Sequence, residues 1–236
     1  MKLPDPFRRR GEHIEIELPT ARAVFTTRRG GHSHGPYESL NLGRLTDDDE
    51  ESVRRNRVAL EADLGRPLAF VRQVHGGDVI RRTAPSDPPP EADGHATAQR
   101  EFAPTVLTAD CLPIALAADG AVAMLHAGWR GLAAGVVGEG VRALRAVGGR
   151  GPIGAAIGPG AGPCCYEVGE EVLKVFGETG PNLDLKAIAR ARLQQAGVAA
   201  VHDVGLCTIC SSPDLFFSHR RDRGVTGRQA GIVWLT

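Results

Sequence analysis

Ile114-Ala115-Leu116-Ala117-Ala118-Asp119-Gly120-Ala121-Val122-Ala123-Met124-Leu125 is a pair of apolar runs with a turn dipeptide between them. Each run is too short for a helix and shows no polar alternation, the pattern of a strand covered on both faces. Asp-Gly between two such runs predicts a hairpin. Upstream, Val106 and Leu107 mark a further core strand; downstream, residues 131–147 read as a small-residue helix packed closely on a sheet and ended by Gly148-Gly149. Residues 153–157 supply another strand, 167–176 and 184–196 two helices, and 198–204, 215–218 and 231–235 late strands. Toward the N-terminus, 13–18 alternates like a half-buried strand, 21–27 reads as a second, and 29–36 is a loop. Residues 47–64 form a helix stopped near Gly65 and Pro67, with strands at 68–74 and 79–82 on either side of His75-Gly76-Gly77-Asp78. No repeat, low-complexity tract or linker divides these elements, so residues 1–236 are expected to make one mixed α/β domain.

Both outer ends of the hairpin carry metal-ligand chemistry. Thr108-Ala109-Asp110-Cys111-Leu112-Pro113 leads into it and Leu125-His126-Ala127-Gly128-Trp129-Arg130-Gly131 leads out. Arg72-Gln73-Val74-His75-Gly76-Gly77 ends another strand-like stretch in the same way. Two imidazoles and one thiolate form the ligand set of a catalytic zinc site, with a fourth position left for water or substrate. The plainer alternative is an inert buried Cys111 and two hydrogen-bonded histidines. Context favours the metal: Asp110 sits in an apolar run where a lone charge is costly, and Gly-Trp-Arg-Gly after His126 offers close backbone approach, an aromatic wall and a cation.

Composition narrows the function classes. Lys plus Arg number 28 and Asp plus Glu 28, so net charge is zero and nothing marks a nucleic-acid footprint or an anionic-membrane surface. Arg8-Arg9-Arg10 and His219-Arg220-Arg221 are short clusters that read as solvated faces. Met1 leads into Pro4, Pro6 and arginines rather than a signal peptide, and no apolar run reaches membrane-spanning length. Five cysteines, an odd number without a small disulfide framework, suit a reducing cytoplasm. A cytoplasmic monomer with no nucleic-acid or membrane partner is expected.

The motifs together resemble a known family. They are Thr27-Arg28-Arg29-Gly30-Gly31, Ser39-Leu40-Asn41-Leu42-Gly43, Gln73-Val74-His75-Gly76, Ala109-Asp110-Cys111-Leu112-Pro113 and His126-Ala127-Gly128-Trp129-Arg130-Gly131. Ile157-Gly158-Pro159, Cys165-Tyr166-Glu167-Val168-Gly169, Phe216-Phe217-Ser218-His219-Arg220-Arg221-Asp222 and Thr226-Gly227-Arg228 continue them in order. Bacterial members of that family have been called multicopper polyphenol oxidases and the human relative a laccase-domain protein; the family is described as zinc-dependent purine nucleoside phosphorylases that also deaminate adenosine. The resemblance covers the chain from about Pro19 onward. It implies that His75, Cys111 and His126 hold Zn²⁺, with copper as the alternative ion. It further implies two packed β-sheets between helical layers, a four-layer α/β/β/α sandwich. The implied substrates are inorganic phosphate and purine nucleosides (adenosine, inosine, guanosine, methylthioadenosine). His219 departs from the family, which often has Tyr there.

Arg130 is a candidate phosphate clamp, because guanidinium pairs bidentately with phosphate oxygens; an ion pair with Asp110 is the structural alternative. Asn41 and Gln73 are candidates for contacting the purine or ribose, against a turn-forming Asn and a strand-paired Gln. Gly158-Pro159-Gly160-Ala161-Gly162 lacks the Walker lysine and the dinucleotide spacing, and reads as a tight turn beside the site. Cys164-Cys165 reads as packing. Cys207-Thr208-Ile209-Cys210 looks like half a zinc knuckle with no second pair to complete it, and is expected to pack or form an occasional disulfide. With His13-Ile14-Glu15 it imitates a nucleobase-deaminase signature, but Leu206 stands where that signature has Pro, and His13 and Glu15 read as a strand's polar face. Two other functions compete with the phosphorylase. Two His and one Cys are also the trigonal blue-copper set, with Met124 on the same strand face as His126, although the chain has only 8 histidines and one His-x-His, His32-Ser33-His34. Cys111 as nucleophile with a histidine base would give a hydrolase.

Overall fold

Alternation of apolar and polar residues organises the start of the computed structural model, which describes residues 2–236. β1 (Arg8–Arg10), β2 (His13–Leu18) and β3 (Ala21–Phe25) form an antiparallel meander. α1 (Glu50–Leu64) begins where the Asp49 carboxylate accepts the Ser52 amide and ends at Gly65, φ 68°, the left-handed position that glycine tolerates. β4 (Leu68–Phe70), β5 (Val79–Arg81), β6 (Gly94–Thr97), β7 (Ala103–Thr108), β8 (Leu112–Asp119) and β9 (Ala121–Ala127) follow. The remainder is α2 (Trp129–Ala134), α3 (Val136–Ala146), β10 (Arg150–Ile157), α4 (Glu170–Phe176), α5 (Leu185–Gln195), β11 (Ala200–Asp203) and β12 (Gln229–Leu235).

The strands make two six-stranded sheets, ordered β1-β2-β3-β12-β7-β4 and β11-β10-β8-β9-β6-β5. The quoted hairpin is β8–β9, with Ala118 facing Ala121 across the Asp119-Gly120 turn and Gly120 at φ 79°. Its lack of alternation is explained by cover on both sides. Leu116, Leu125 and Ala123 face Val136, Leu144 and Leu193 of the helices, whereas Ala115, Ala117, Val122 and Met124 meet Ile16, Phe25 and Val233 of the other sheet. A third apolar cluster joins Leu60 and Leu64 of α1 to Val24, Ile232 and Trp234. The order α1, sheet, sheet, α2–α5 is the expected four-layer α/β/β/α sandwich.

Several boundaries differ from the sequence expectation, each for a physical reason. The helix at 131–147 is two helices, because Gly135 at φ 87° closes α2 and starts α3. The strand at 68–74 is laddered only through Phe70; beyond it the Gln73 side chain takes over the pairing, donating to the Leu107 carbonyl at 2.7 Å and accepting its amide at 2.8 Å. Residues 215–218 are not a strand. The buried Gln229 amide supplies both bonds to Phe217, from its N–H at 2.8 Å and to its carbonyl at 3.1 Å. The helix expected from Glu167 begins at Glu170, since Glu167 bridges to Asn182. Arg8-Arg9-Arg10 keeps the solvated face expected of it, with Arg8 and Arg9 exposed, but does so as an edge strand. Arg8, Arg10 and Arg22 surround Glu15, whose side chain is only 6% exposed, so the polar face of β2 is covered by paired charge. β6 was not foreseen because Gly-His-Ala-Thr has no strand signature of its own.

Replacing Gln229 by Leu should strand the Phe217 N–H and C=O without partners in a buried setting. A loss of about 3 kcal/mol in chemical denaturation is expected; a change within about 0.5 kcal/mol would show that the segment is held elsewhere.

Candidate metal centre

β9 carries His126 near its end, and the sheet register supplies its neighbours. Leu112 pairs with Ala127, so continuing the register one step sets Cys111 opposite Gly128. On the other side Gly94 pairs with Leu125, which sets Asp93 opposite His126, and the His126 amide donates to the Asp93 carbonyl at 2.7 Å. His75 comes from the loop after β4. One ligand atom from each of His75, Cys111 and His126 lies within 4.8 Å of the others, and the two imidazoles meet edge-on at 4.8 Å and 81°. The three candidate ligands therefore converge: His126 is buried, Cys111 half-buried, and His75 is the exposed member.

Asp93 was missed by sequence reasoning, and it organises the site. It is fully buried and accepts Nδ1–H of His126 at 2.8 Å. It also accepts the amides of Val74, His75 and Gly76 at 3.2, 2.9 and 2.6 Å. The first bond fixes the His126 tautomer and turns its Nε2 toward the ligand cluster; the other three hold the His75 loop in place, with His75 itself at φ 61°. A metal-binding His braced by a carboxylate is the usual outer arrangement of such centres. A lone acidic residue before Gly94-His95 carries no periodic or spacing signal, so only pairing reveals it.

Asp110, at φ 91°, is the second non-glycine residue at the site held in left-handed backbone, where such strain is uncommon. Its carboxylate accepts the Thr208 hydroxyl at 2.6 Å and the Arg220 amide at 2.7 Å. These, not Arg130, are its partners. The Ala161 amide donates to the Asp110 carbonyl at 2.7 Å, so the glycine-rich 158–162 turn does bring backbone against the site. Two glycines are required by close approach. A Cβ on Gly128 would stand 2.7 Å from the Cys111 sulfur, and one on Gly160 2.5 Å from Leu112 and 3.1 Å from the Asp110 carbonyl oxygen.

The electrostatics suit a cation. Burial alone pushes the Cys111 thiol up, but the charge of His126 and hydrogen bonds from both histidines bring it down to about 6. Burial would lower His126, yet the Cys111 thiolate and Asp93 raise it to about 9. Burial likewise opposes the charge on Asp93, and the hydrogen bonds from His126 and the Gly76 and Val74 amides outweigh it and hold the carboxyl below its ordinary range. Two imidazoles, a sulfur that ionises readily and a carboxylate-braced ring form a donor set that fits a divalent ion.

The other candidates sit differently. Asn41 is fully buried and its amide is engaged on both sides: it donates to Thr46 and Asp48 at 2.9 Å each, and accepts from Gly43 at 3.0 Å and Arg228 at 2.9 Å. Gln73 is strand-paired as described. Both take the structural alternative, bracing walls of the site. Arg130 is exposed at the start of α2, its guanidinium 4.5 Å from the Trp129 ring centroid. Asn56 on α1 holds the 32–41 loop, donating to Ser33, Ser39 and Asn41 and accepting the His32 amide. Cys207 and Cys210 do have a second pair: Cys164 and Cys165 lie beside them, all four sulfurs within 4.8 Å.

A family model described as multi-copper polyphenol oxidoreductase laccase matches residues 22–236. A protein of Xylella fastidiosa named purine nucleoside phosphorylase is 42% identical, the match covering 92% of this chain and 94% of that one. A Streptomyces coelicolor protein of the same name is also 42% identical, over 89% and 94%. The crystal structure of YlmD from Geobacillus stearothermophilus superposes with a TM-score of 0.90 at 35% identity, covering 98% of this chain and 99% of that one. The fold is shared.

Asp93→Asn should lower metal affinity by roughly 10–100-fold in competition with a chromophoric chelator; unchanged affinity would remove Asp93 from the centre. Proton linkage gives a second expectation. Between the thiol near 6 and the imidazole near 9, the metal-free pair holds one proton on His126, which an entering cation must displace. Affinity should therefore rise roughly tenfold per pH unit from this pair up to about pH 9, and fall more steeply below pH 6. Calorimetry in buffers of different ionisation heat should count about one proton released from the pair at pH 7.5, and none would contradict it.

Proposed function

Because the chain belongs to the family described as multi-copper polyphenol oxidoreductase laccase, whose curated relatives are named purine nucleoside phosphorylases, we propose that it is a zinc-dependent purine nucleoside phosphorylase. Adenosine, inosine, guanosine and methylthioadenosine are its substrate class, with adenosine deamination as a second activity, carried by one domain acting as a cytoplasmic monomer. The carrying observation is the convergence of His75, Cys111 and His126 within 4.8 Å, braced by Asp93. When bound, the metal supplies a positive charge that polarises a substrate atom and makes water more acidic.

Zinc is preferred over copper on two grounds. Met124 sits fully buried in the inter-sheet core, its sulfur 3.2 Å from where a Cβ on Gly231 would stand. Among the described residues, His32 and His34 join no group of three or more ligand side chains, as a multi-copper cluster would need. Among the described residues, no helix is long and apolar enough to cross a membrane.

In phosphorolysis a phosphate oxygen attacks the sugar carbon, the C–N bond breaks with its electrons going to the base, and the proton brought by phosphate ends on the base. Arg130 holds the phosphate: stacked on Trp129, it keeps its N–H edges available for oxygen. Tyr166 is a neutral hydrogen-bond donor there, since burial and then the Cys111 charge push its phenol up to about 12. Asn41 and Gln73 shape the walls rather than touch substrate, their amides being engaged by protein.

The chain Asp93–His126–Cys111 also has the order of a thiol hydrolase. The second imidazole at the sulfur, His75, has no task in that chemistry, and this favours the metal reading.

Metal-loaded protein with inosine and phosphate should release hypoxanthine and pentose 1-phosphate, and adenosine without phosphate should give inosine. His75→Ala should lower kcat/KM by about 10³-fold or more, and Arg130→Ala should raise the KM for phosphate roughly tenfold with little change for the nucleoside. Phenol-dependent oxygen uptake by copper-loaded protein without phosphorolysis would favour the oxidase instead, and activity that survives chelation would favour the hydrolase.

A further inference from the structure

Four of the five cysteines play no part in the centre described above, and they lie together. Cys164 and Cys165 follow the 158–163 turn, and Cys207 and Cys210 follow β11. The four sulfurs are within 4.8 Å of one another, with Cys164 and Cys210 at 3.4 Å. Zn–S bonds of about 2.3 Å in a tetrahedron put sulfurs about 3.8 Å apart, so this cluster is already near the size of a four-thiolate cage. An S–S bond of about 2.05 Å would instead require one pair to close well beyond its present spacing. Inert packing does not account for the group, because Cys164 and Cys210 are exposed.

Backbone amides favour the anion at Cys207, while burial pushes the neighbouring Cys164 thiol up to about 11 and raises Cys165 as well, so an entering cation must displace their protons. The Gly162 amide donates to the Cys207 sulfur at 3.3 Å. A Cβ on Gly162 would lie 3.2 Å from Cys207 Cβ and 3.4 Å from the Cys164 sulfur, so glycine permits the two loops to meet. Lys186 is buried next to this loop, its Nζ donating to the Leu206 carbonyl at 2.7 Å and standing 3.6 Å from Asp203. A cation there offsets the negative charge that four thiolates around a dication would carry.

We propose that Cys164, Cys165, Cys207 and Cys210 form a second, structural metal site that takes a thiophilic dication such as Zn²⁺. Binding exchanges four thiol protons for one ion, with no change in oxidation state. All four ligands come from protein, which leaves no position for substrate and makes the site structural rather than catalytic. Its place explains its use. Gly160 and Cys207 bridge their two loops, the Thr208 amide donating to the Gly160 carbonyl at 3.1 Å, and the Thr208 hydroxyl holds Asp110 beside Cys111. The clasp thus secures the wall that positions the triad's sulfur. It does not depend on the reaction proposed above.

The test is metal stoichiometry of the full chain purified from zinc-replete cells. Wild type should carry one more equivalent of zinc than Cys164→Ser/Cys210→Ser, while His75→Ala/His126→Ala loses the other equivalent and keeps this one. The serine pair alters exposed positions, so its fold is expected to survive, with a lower Tm than the zinc-loaded wild type. Cobalt loaded into His75→Ala/His126→Ala should show the intense thiolate-to-metal absorption of tetrahedral cobalt, which needs no change at the cysteines. Zinc content unaffected by the serine pair, absence of the cobalt band, or a Cys164–Cys210 disulfide in freshly purified protein would each overturn the proposal. Loss of phosphorolysis alone would not touch it.

Discussion

One buried carboxylate, that of Asp93, holds the candidate centre together. It is fully inaccessible and carries four hydrogen bonds from protein, one from the His126 ring and three from successive amides around His75. An ionised group in that position would be costly without them. With them, a single side chain fixes one ligand by its ring and the other by its backbone, so the two imidazoles hold their relative geometry before any ion arrives. The same negative charge raises the His126 proton affinity and balances part of a bound dication.

The sheet makes this possible. β6 and β9 pair so that Asp93 stands opposite His126, and β8 and β9 pair so that Cys111 stands opposite Gly128. Because side chains alternate along a strand, slipping either register by one residue would turn a ligand to the other face. The register is in turn held by apolar cover on both faces of β8 and β9, with helices on one side and the second sheet on the other. Core packing and site geometry are therefore one constraint, and Gly128 is where they meet, its missing Cβ leaving room for the Cys111 sulfur.

Around the centre, side-chain amides take the part of backbone where regular pairing stops. Gln73 continues the β4–β7 seam, Gln229 holds Phe217, Asn41 ties its loop to Arg228, and Asn56 on α1 holds the loop before it. Each buried amide offers donors and an acceptor in one plane, so it replaces a missing strand partner at little cost. Asp110 extends the same principle to the far wall, through Thr208 and the Arg220 amide.

The chain's own pattern marked the strands at 114–118 and 121–125, the helix at 47–64, the helical cover at 131–147 and the three candidate ligands as separate residues, because each is written locally: an uninterrupted apolar run, a helical pattern ended by stop residues, or a soft ligand at the end of a strand. It left three things undecided. Asp93 and β6 have no local signature and gain meaning only from being paired with β9. Asn41 and Gln73 have chemistry compatible with either a ligand or the protein, and in the fold both amides are engaged by protein, Asn41 by the Gly43 and Arg228 amides and the Thr46 and Asp48 side chains, Gln73 by the Leu107 backbone. Cys164 and Cys165 stand more than forty positions from Cys207 and Cys210, a separation across which spacing carries no information. Local propensity and periodicity are properties of neighbours in sequence; which polar group meets which across the fold is fixed by strand register and packing, and these exist only in three dimensions.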